Sequence, residues 1–213
     1  MIRRFTLWSL LAALLLPALV FAQASAAALV PGVDYEEIAD GRPFGPADGK
    51  VEVVEIFAYS CHHCATFQPI LDTWKRKLPT DVRFTYVPAA FDLDDPFARA
   101  FYAAQDKGLL ARTHEAMFKA VNSDITLPRN ATPDEVAAFY ARYGVSPAAF
   151  AAAMQAPAVE ARVRQAREFA IASDLQGTPT LVVNGRYRVL GNSFDDMLRI
   201  ADQLIAKERA ARR

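Results

Sequence analysis

The sequence predicts an α/β fold in which a β-α-β half and a β-β-α half of one unit are separated by an Ala-rich helical insertion. Three observations predict it. A β-branched run at Val51–Phe57 is followed by helically spaced apolar residues and by a second strand pattern over residues 82–87. Asn184-Gly185 separates two further β-rich runs, a strong hairpin signal. The stretch between these regions carries helix start and stop residues and no strand pattern.

The elements follow in order. Residues 27–50 are rich in Gly and Pro and form an extended lead-in, with only residues 35–38 looking strand-like. Residues 51–90 make the first half. Its helix runs from Cys61, with Thr66, Phe67, Ile70, Leu71, Trp74 and Leu78 as apolar marks and Pro69 as an internal kink. Residues 91–157 form the insertion. Asp95-Pro96 starts a helix that Gly108 stops, Thr132-Pro133-Asp134-Glu135 is a capping box whose helix Gly144 ends, and Ser146-Pro147 starts another. Residues 158–213 make the second half. There Val159, Val163, Ala166, Ala170 and Ile171 share a helical face, and Gly177-Thr178-Pro179 precedes the hairpin. Ser193 caps a final helix carrying Leu198, Ala201, Leu204 and Ile205.

Residues 1–26 read as a signal peptide. Arg3 and Arg4 precede an apolar run from Phe5 to Phe21, and Ala22-Gln23-Ala24 and Ala24-Ser25-Ala26 are both small-x-small cleavage sites. An uncleaved anchor is the alternative, because the run approaches the length of a membrane span. Cleavage is expected after residue 24 or 26. Of 24 Lys+Arg and 24 Asp+Glu, removing Arg3 and Arg4 leaves 22 basic residues, a formal charge of −2. Such a balance lacks the basic excess that nucleic acid requires. With 53% hydrophobic residues the chain is not disordered, and two Cys cannot build a disulfide framework. Export implies an oxidising compartment, for which a bacterial periplasm is expected.

The chemistry sits in Cys61-His62-His63-Cys64, where the first strong strand ends and a helix begins. This spacing places both sulfurs within one helical turn. The helix N-terminus offers unpaired N–H groups and partial positive charge to Cys61, which is expected to be the readily ionised, attacking thiol. His63, when protonated, adds a cationic neighbour, and Cys64 is the natural resolving thiol. Zinc is disfavoured, since four consecutive helical residues cannot converge on one ion and His114 is the only other His. Haem attachment requires His directly after the second Cys, where Ala65 stands. An inert disulfide remains as the alternative to redox exchange, although so short a ring restrains the unfolded chain little.

With these residues the sequence resembles the DsbA family of thioredoxin-fold thiol:disulfide oxidoreductases. The likeness rests on the leader, on the strand running into Phe57-Ala58-Tyr59-Ser60-Cys61-His62-His63-Cys64, on the helical insertion, and on Gly177-Thr178-Pro179. It implies a thioredoxin-like fold, Cys61 as nucleophile, and a cis Thr178–Pro179 bond facing the cysteine pair. Two departures bear on redox poise and substrate preference. His62 stands where the best-known members have Pro, and Thr178 stands where several have Val. The resemblance also places a buried acid at Glu55 that handles the proton of the second thiol, with Arg83 on the next strand as a charge partner. The alternative is a Glu on a solvated strand face.

His62, Thr178 and Gln68 are candidate substrate contacts. Tyr59 and Phe57 either shape the rim or belong to the core, and His114 is structural or exposed. The implied protein is a monomeric periplasmic dithiol oxidase without metal or cofactor. It donates its disulfide to unfolded or newly translocated polypeptides and is reoxidised by a membrane partner of the DsbB type. An isomerase or reductase of the same fold is the alternative, although residues 27–50 are too few for the extra dimerisation domain that isomerases of this group usually carry. A secreted binding protein with an inert disulfide is the third reading.

Overall fold

The computed structural model describes residues 28–212. The leader expected over residues 1–26 lies outside them. Strands β1 (Tyr35–Glu37), β2 (Val51–Phe57), β3 (Val82–Pro88), β4 (Thr180–Val183) and β5 (Tyr187–Val189) form one sheet in the order β1-β5-β4-β2-β3. The β2–β3 pair is parallel and the others are antiparallel. The parallel pair is joined by helix α1 (His62–Lys75), which gives the expected β-α-β half. The β4–β5 hairpin turns through Asn184 and Gly185, both at positive φ (55° and 65°) as a type I′ turn requires, and leads into α7 (Phe194–Ala210). Residues 35–37 of the lead-in add the edge strand β1 by pairing with β5.

Between β3 and β4 lie α2 (Pro96–Asp106), α3 (Leu110–Asn122), α4 (Pro133–Phe139), α5 (Pro147–Met154) and α6 (Pro157–Ala172). The Asp95, Thr132 and Ser146 caps all form, and Thr132 and Glu135 close the capping box in both directions. Two apolar marks differ from expectation. Ile70 and Ile171 are both exposed, because helices α1 and α6 turn only their Phe67, Leu71 and Trp74, or Val159, Val163, Ala166 and Ala170, stripes inward. Leu78 falls beyond the end of α1.

The two faces of the sheet carry separate cores, and strand alternation decides which residue enters which. Val51 and Val53 pack with Phe67 and Leu71 of α1 and with α7, whereas Val54 and Ile56 pack with the inserted helices. Glu52 belongs to the inserted-helix face and Glu55 to the α1 face. Glu52 is fully buried and accepts bonds from the Phe44 N–H (2.7 Å), the Gly45 N–H (3.1 Å), Arg83 Nε (3.1 Å) and the Thr85 hydroxyl (2.9 Å). It therefore pins the lead-in to the central strand. Glu52→Ala leaves two backbone donors and the Thr85 hydroxyl without their acceptor and takes one of two carboxylates from Arg83, which keeps Asp48, and is expected to cost roughly 2–3 kcal/mol of unfolding free energy. Urea denaturation measures this, and a loss below about 1 kcal/mol would show that the clamp is replaceable.

Candidate active site

After Phe57 the chain turns so that the Cys61 N–H donates to the Ala58 carbonyl at 3.0 Å, and Cys61 becomes the N-cap of α1. Its sulfur accepts the Cys64 N–H at 3.3 Å, taking one of the donors that every helix start leaves unpaired. The first turn of α1 contains no acidic residue to oppose a negative charge there. Cys61 is partly exposed, Cys64 is fully buried, and both are free thiols. The rings of His62 and His63 are exposed and meet edge to face, their centroids 6.1 Å apart.

Thr178–Pro179 is cis, as the resemblance implies. Its loop lies beside the cysteines because β4 pairs with β2 and sets Thr180 opposite Ile56, near the end of the central strand. The Cys61 thiol donates to the Thr178 carbonyl at 3.2 Å, and Thr178 is partly exposed. Residues more than a hundred positions apart in sequence thus meet at one sulfur.

The two thiols are driven apart in acidity. A hydrogen bond from Cys64 brings the Cys61 pKa down to about 5, against some desolvation, and the Thr178 side chain and the N–H groups of Cys64 and His63 assist. His63 acts here through its backbone, while its ring lies exposed in solvent. Burial pushes Cys64 far upward, and the hydrogen bond it gives to Cys61 and the nearby Glu55 charge push the same way. At neutral pH the pair is a thiolate at the surface and a thiol beneath it.

Glu55 lies on β2 under this pair and is fully buried, with no hydrogen bond to either carboxyl oxygen from the described residues. Desolvation raises its pKa to about 8, with Lys75 opposing and the Cys61 and Asp72 charges adding to the rise. The solvated-face alternative is therefore excluded. Arg83 is not its charge partner. The β2–β3 register sets Arg83 opposite Glu52 on the other face, where it bonds Glu52 and Asp48, and sets Tyr86 opposite Glu55. The raised pKa means that folding retains a proton that the unfolded chain releases. Stability is complete below about 4.5 and falls as pH rises toward 8, by roughly 3 kcal/mol at pH 7.

Gln68 is also relocated. It is buried, and its amide donates to the Tyr86 hydroxyl at 2.7 Å and to Asp72 at 3.1 Å, so it faces β3 and not the surface around Cys61. Phe57 and Tyr59 are core residues rather than rim. His114 is buried, with Nδ1 2.7 Å from the Tyr59 hydroxyl, and burial lowers its pKa to about 3. The sequence reading missed Asp72, Lys75 and Tyr86, which cluster beside Glu55. Only the parallel register of β2 on β3 was available to find Tyr86, and the i,i+3 spacing of Asp72 and Lys75 resembles any exposed helical ion pair.

A family model for the DsbA-like thioredoxin domain matches residues 95–204, which take in most of the insertion and of the second half. The thiol:disulfide interchange protein DsbA of Pseudomonas aeruginosa is 36% identical over 184 residues, 84% of this chain and 86% of its own length. The chain belongs to the DsbA family. The DsbA of Azotobacter vinelandii is 38% identical over 84% of this chain and 85% of its own. The crystal structure of the oxidoreductase DsbA from Xylella fastidiosa is 52% identical, with a TM-score of 0.82 over 85% of this chain and 98% of that one. The fold is thus the DsbA-like thioredoxin fold with its helical insertion, and the protein is a disulfide-donating thiol:disulfide oxidoreductase.

Thiolate absorbance of this DsbA-family enzyme should titrate with a midpoint near 5, assigned to Cys61 by its loss in Cys61→Ala. A depressed thiol pKa stabilises the folded reduced protein above the unfolded value of about 9, and the gain is lost as pH falls through about 5. Discounted for screening at a half-exposed sulfur, the advantage at pH 7 is on the order of 1–2 kcal/mol. Denaturation of reduced and oxidised protein at pH 4 and pH 7 checks the sign. A difference that does not change with pH would contradict it.

Proposed function

We propose that Cys61 is the sulfur attacked by substrate, that Cys64 is the leaving and resolving thiol, and that Glu55 handles the proton of Cys64. The observation that carries this reading is the split between the sulfurs, one at the helix start and partly open, the other buried above a carboxyl with a raised pKa. In the oxidised enzyme a substrate thiolate attacks Cys61 Sγ. The Cys61–Cys64 bond breaks, its electron pair passes to Cys64 Sγ, and Glu55 supplies the proton. A second substrate thiolate then attacks the substrate sulfur of the mixed disulfide and releases Cys61 as a thiolate, which the helix start stabilises. The substrate is oxidised by two electrons and the enzyme is reduced.

The substrates are unfolded or newly translocated polypeptides in the periplasm. Thr178 beside the cis bond offers backbone groups for an extended chain to pair with, and the exposed rings of His62 and His63 border the approach. A DsbB-type membrane protein restores the disulfide, and the enzyme works as a monomer without metal or cofactor. Among the described residues no helix is long and apolar enough to cross a membrane.

Cys64→Ala should accumulate covalent adducts with periplasmic polypeptides, because the Cys61 thiolate still attacks their disulfides, displacing one polypeptide sulfur as a thiolate, and the thiol that would return to free Cys61 is gone. Cys61→Ala should form few, because its remaining thiol is buried and held protonated. Non-reducing electrophoresis after acid trapping reads both. Adducts mainly on Cys61→Ala would reverse the assignment, and none on either variant would support an inert disulfide.

A further inference from the structure

Tyr59 lies inside the turn that the Cys61 N–H closes on Ala58, and the helical insertion ties it down at both of its ends. Asn122, the last residue of α3, donates from its side-chain amide to the Tyr59 carbonyl at 2.8 Å. At the far end the Tyr59 hydroxyl meets His114 Nδ1 at 2.7 Å. Phe118 lies between these two contacts, with its ring centroid 4.9 Å from that of Tyr59. His114, Phe118 and Asn122 follow one another at intervals of four, so one side of α3 cradles a single buried residue. The Asn122 amide also donates to the Phe118 carbonyl of its own helix at 3.1 Å, which fixes the side chain while it reaches across. The same side of α3 packs on Phe57, whose ring centroid is 5.1 Å from that of His114 and 5.7 Å from that of Phe118. One helix therefore holds both the end of β2 and the turn that follows it.

We propose that Asn122, assisted by His114, is a positioning residue for Cys61: by holding Tyr59 at its carbonyl and its hydroxyl it fixes the turn from Ala58 to Cys61, and so keeps the attacked sulfur at the start of α1. The inference rests on the reading of Cys61 given above and deepens it. A cap forms only if the turn before it ends in one place. Cys61 Sγ accepts the Cys64 N–H at 3.3 Å and lies 3.2 Å from the Thr178 carbonyl, and rotation of the Tyr59–Ser60 peptide would carry the sulfur away from both. The Asn122 bond opposes that rotation, because it holds the carbonyl of this same peptide. Neither member of the clamp brings a charge to the site. Asn122 carries an amide, and burial keeps His114 neutral, its pKa lowered to about 3. Their action on the thiolate is therefore geometric and passes through the backbone of residues 59 and 60. The insertion contributes to the redox centre without placing a side chain on either sulfur.

The test is the ultraviolet titration of the thiolate, together with the equilibrium of the enzyme disulfide against glutathione at pH 7. Asn122→Leu removes the amide donor at nearly constant volume and changes no charge. It should raise the thiolate midpoint by about half to one pH unit, the worth of one weakened cap bond, and lower the equilibrium constant for oxidising glutathione by about threefold to tenfold. Tyr59→Phe, which deletes the hydroxyl and leaves the carbonyl bond, should move both in the same direction by less. Urea denaturation of the oxidised forms is measured alongside, because a residue that only stabilises the fold lowers the urea midpoint and leaves the titration in place. An unmoved thiolate midpoint in Asn122→Leu overturns the proposal, whatever stability is lost. If Asn122→Leu does not fold, Tyr59→Phe decides by the same criterion. The reading of Cys61 is judged separately: a native titration that survives in Cys61→Ala refutes that reading, whereas one that vanishes there and ignores Asn122→Leu keeps Cys61 and removes Asn122.

Discussion

The whole site depends on where α1 begins relative to the end of β2. A helix start leaves donors unpaired and concentrates partial positive charge, and the chain places Cys61 at the cap and Cys64 one turn inward. Moving the helix start by one residue would take Cys61 off the cap. With the start as it is, Cys61 gathers N–H donors at a partly open edge, and Cys64 drops into the core over β2. Both β2–β3 pairing and α1 packing hold that junction, since Phe67, Leu71 and Trp74 dock α1 on the same face that Val51 and Val53 present. The redox asymmetry thus begins in ordinary strand-to-helix packing, and Thr178 and Glu55 add to it.

Residues with local rules were legible in the sequence. Asp95, Thr132, Ser146 and Ser193 announced their helices because capping is a matter of a few neighbouring atoms, and Asn184-Gly185 announced its turn because both positions need positive φ. Helix α3 had no such sign, since Leu109 stands at its cap without a side-chain bond, and its limits were not read. The Cys61-x-x-Cys64 spacing and its place after a strand were equally local. Pro179 was different. Only a family resemblance put it beside Cys61, because that meeting depends on β4 pairing with β2 across the whole insertion.

The misassigned partner of Glu55 shows where such reading stops. Arg83 is a plausible neighbour on the adjacent strand, but a parallel register fixes which residues share a face, and one residue of slip exchanges the faces. Here Val51 pairs with Val82, so Arg83 serves Glu52 and Tyr86 serves Glu55. Two acids three positions apart on one buried strand consequently meet opposite fates. Glu52 collects an arginine, a hydroxyl and two backbone donors, whereas Glu55 has burial and a more distant lysine. The first is structural glue, and the second remains protonatable near neutral pH.

That difference feeds back on the sulfurs. Ionised Glu55 would oppose a thiolate at Cys61 and would hold Cys64 still more firmly protonated, as the mutual charge effects among the three groups require. With its pKa near 8, Glu55 is mostly neutral at pH 7, so the reduced site carries a single negative charge, on the sulfur best able to hold it. Stability is lost by burying an acid that must keep its proton, and the proton it keeps lies under the buried Cys64 sulfur. Each 1.4 kcal/mol by which the reduced form is favoured over the disulfide raises the couple by about 30 mV. A neutral Glu55 therefore strengthens oxidation by leaving the Cys61 thiolate unopposed. As pH rises through 8 the returning carboxylate charge works against the thiolate, and the oxidising power that the helix start confers is partly withdrawn.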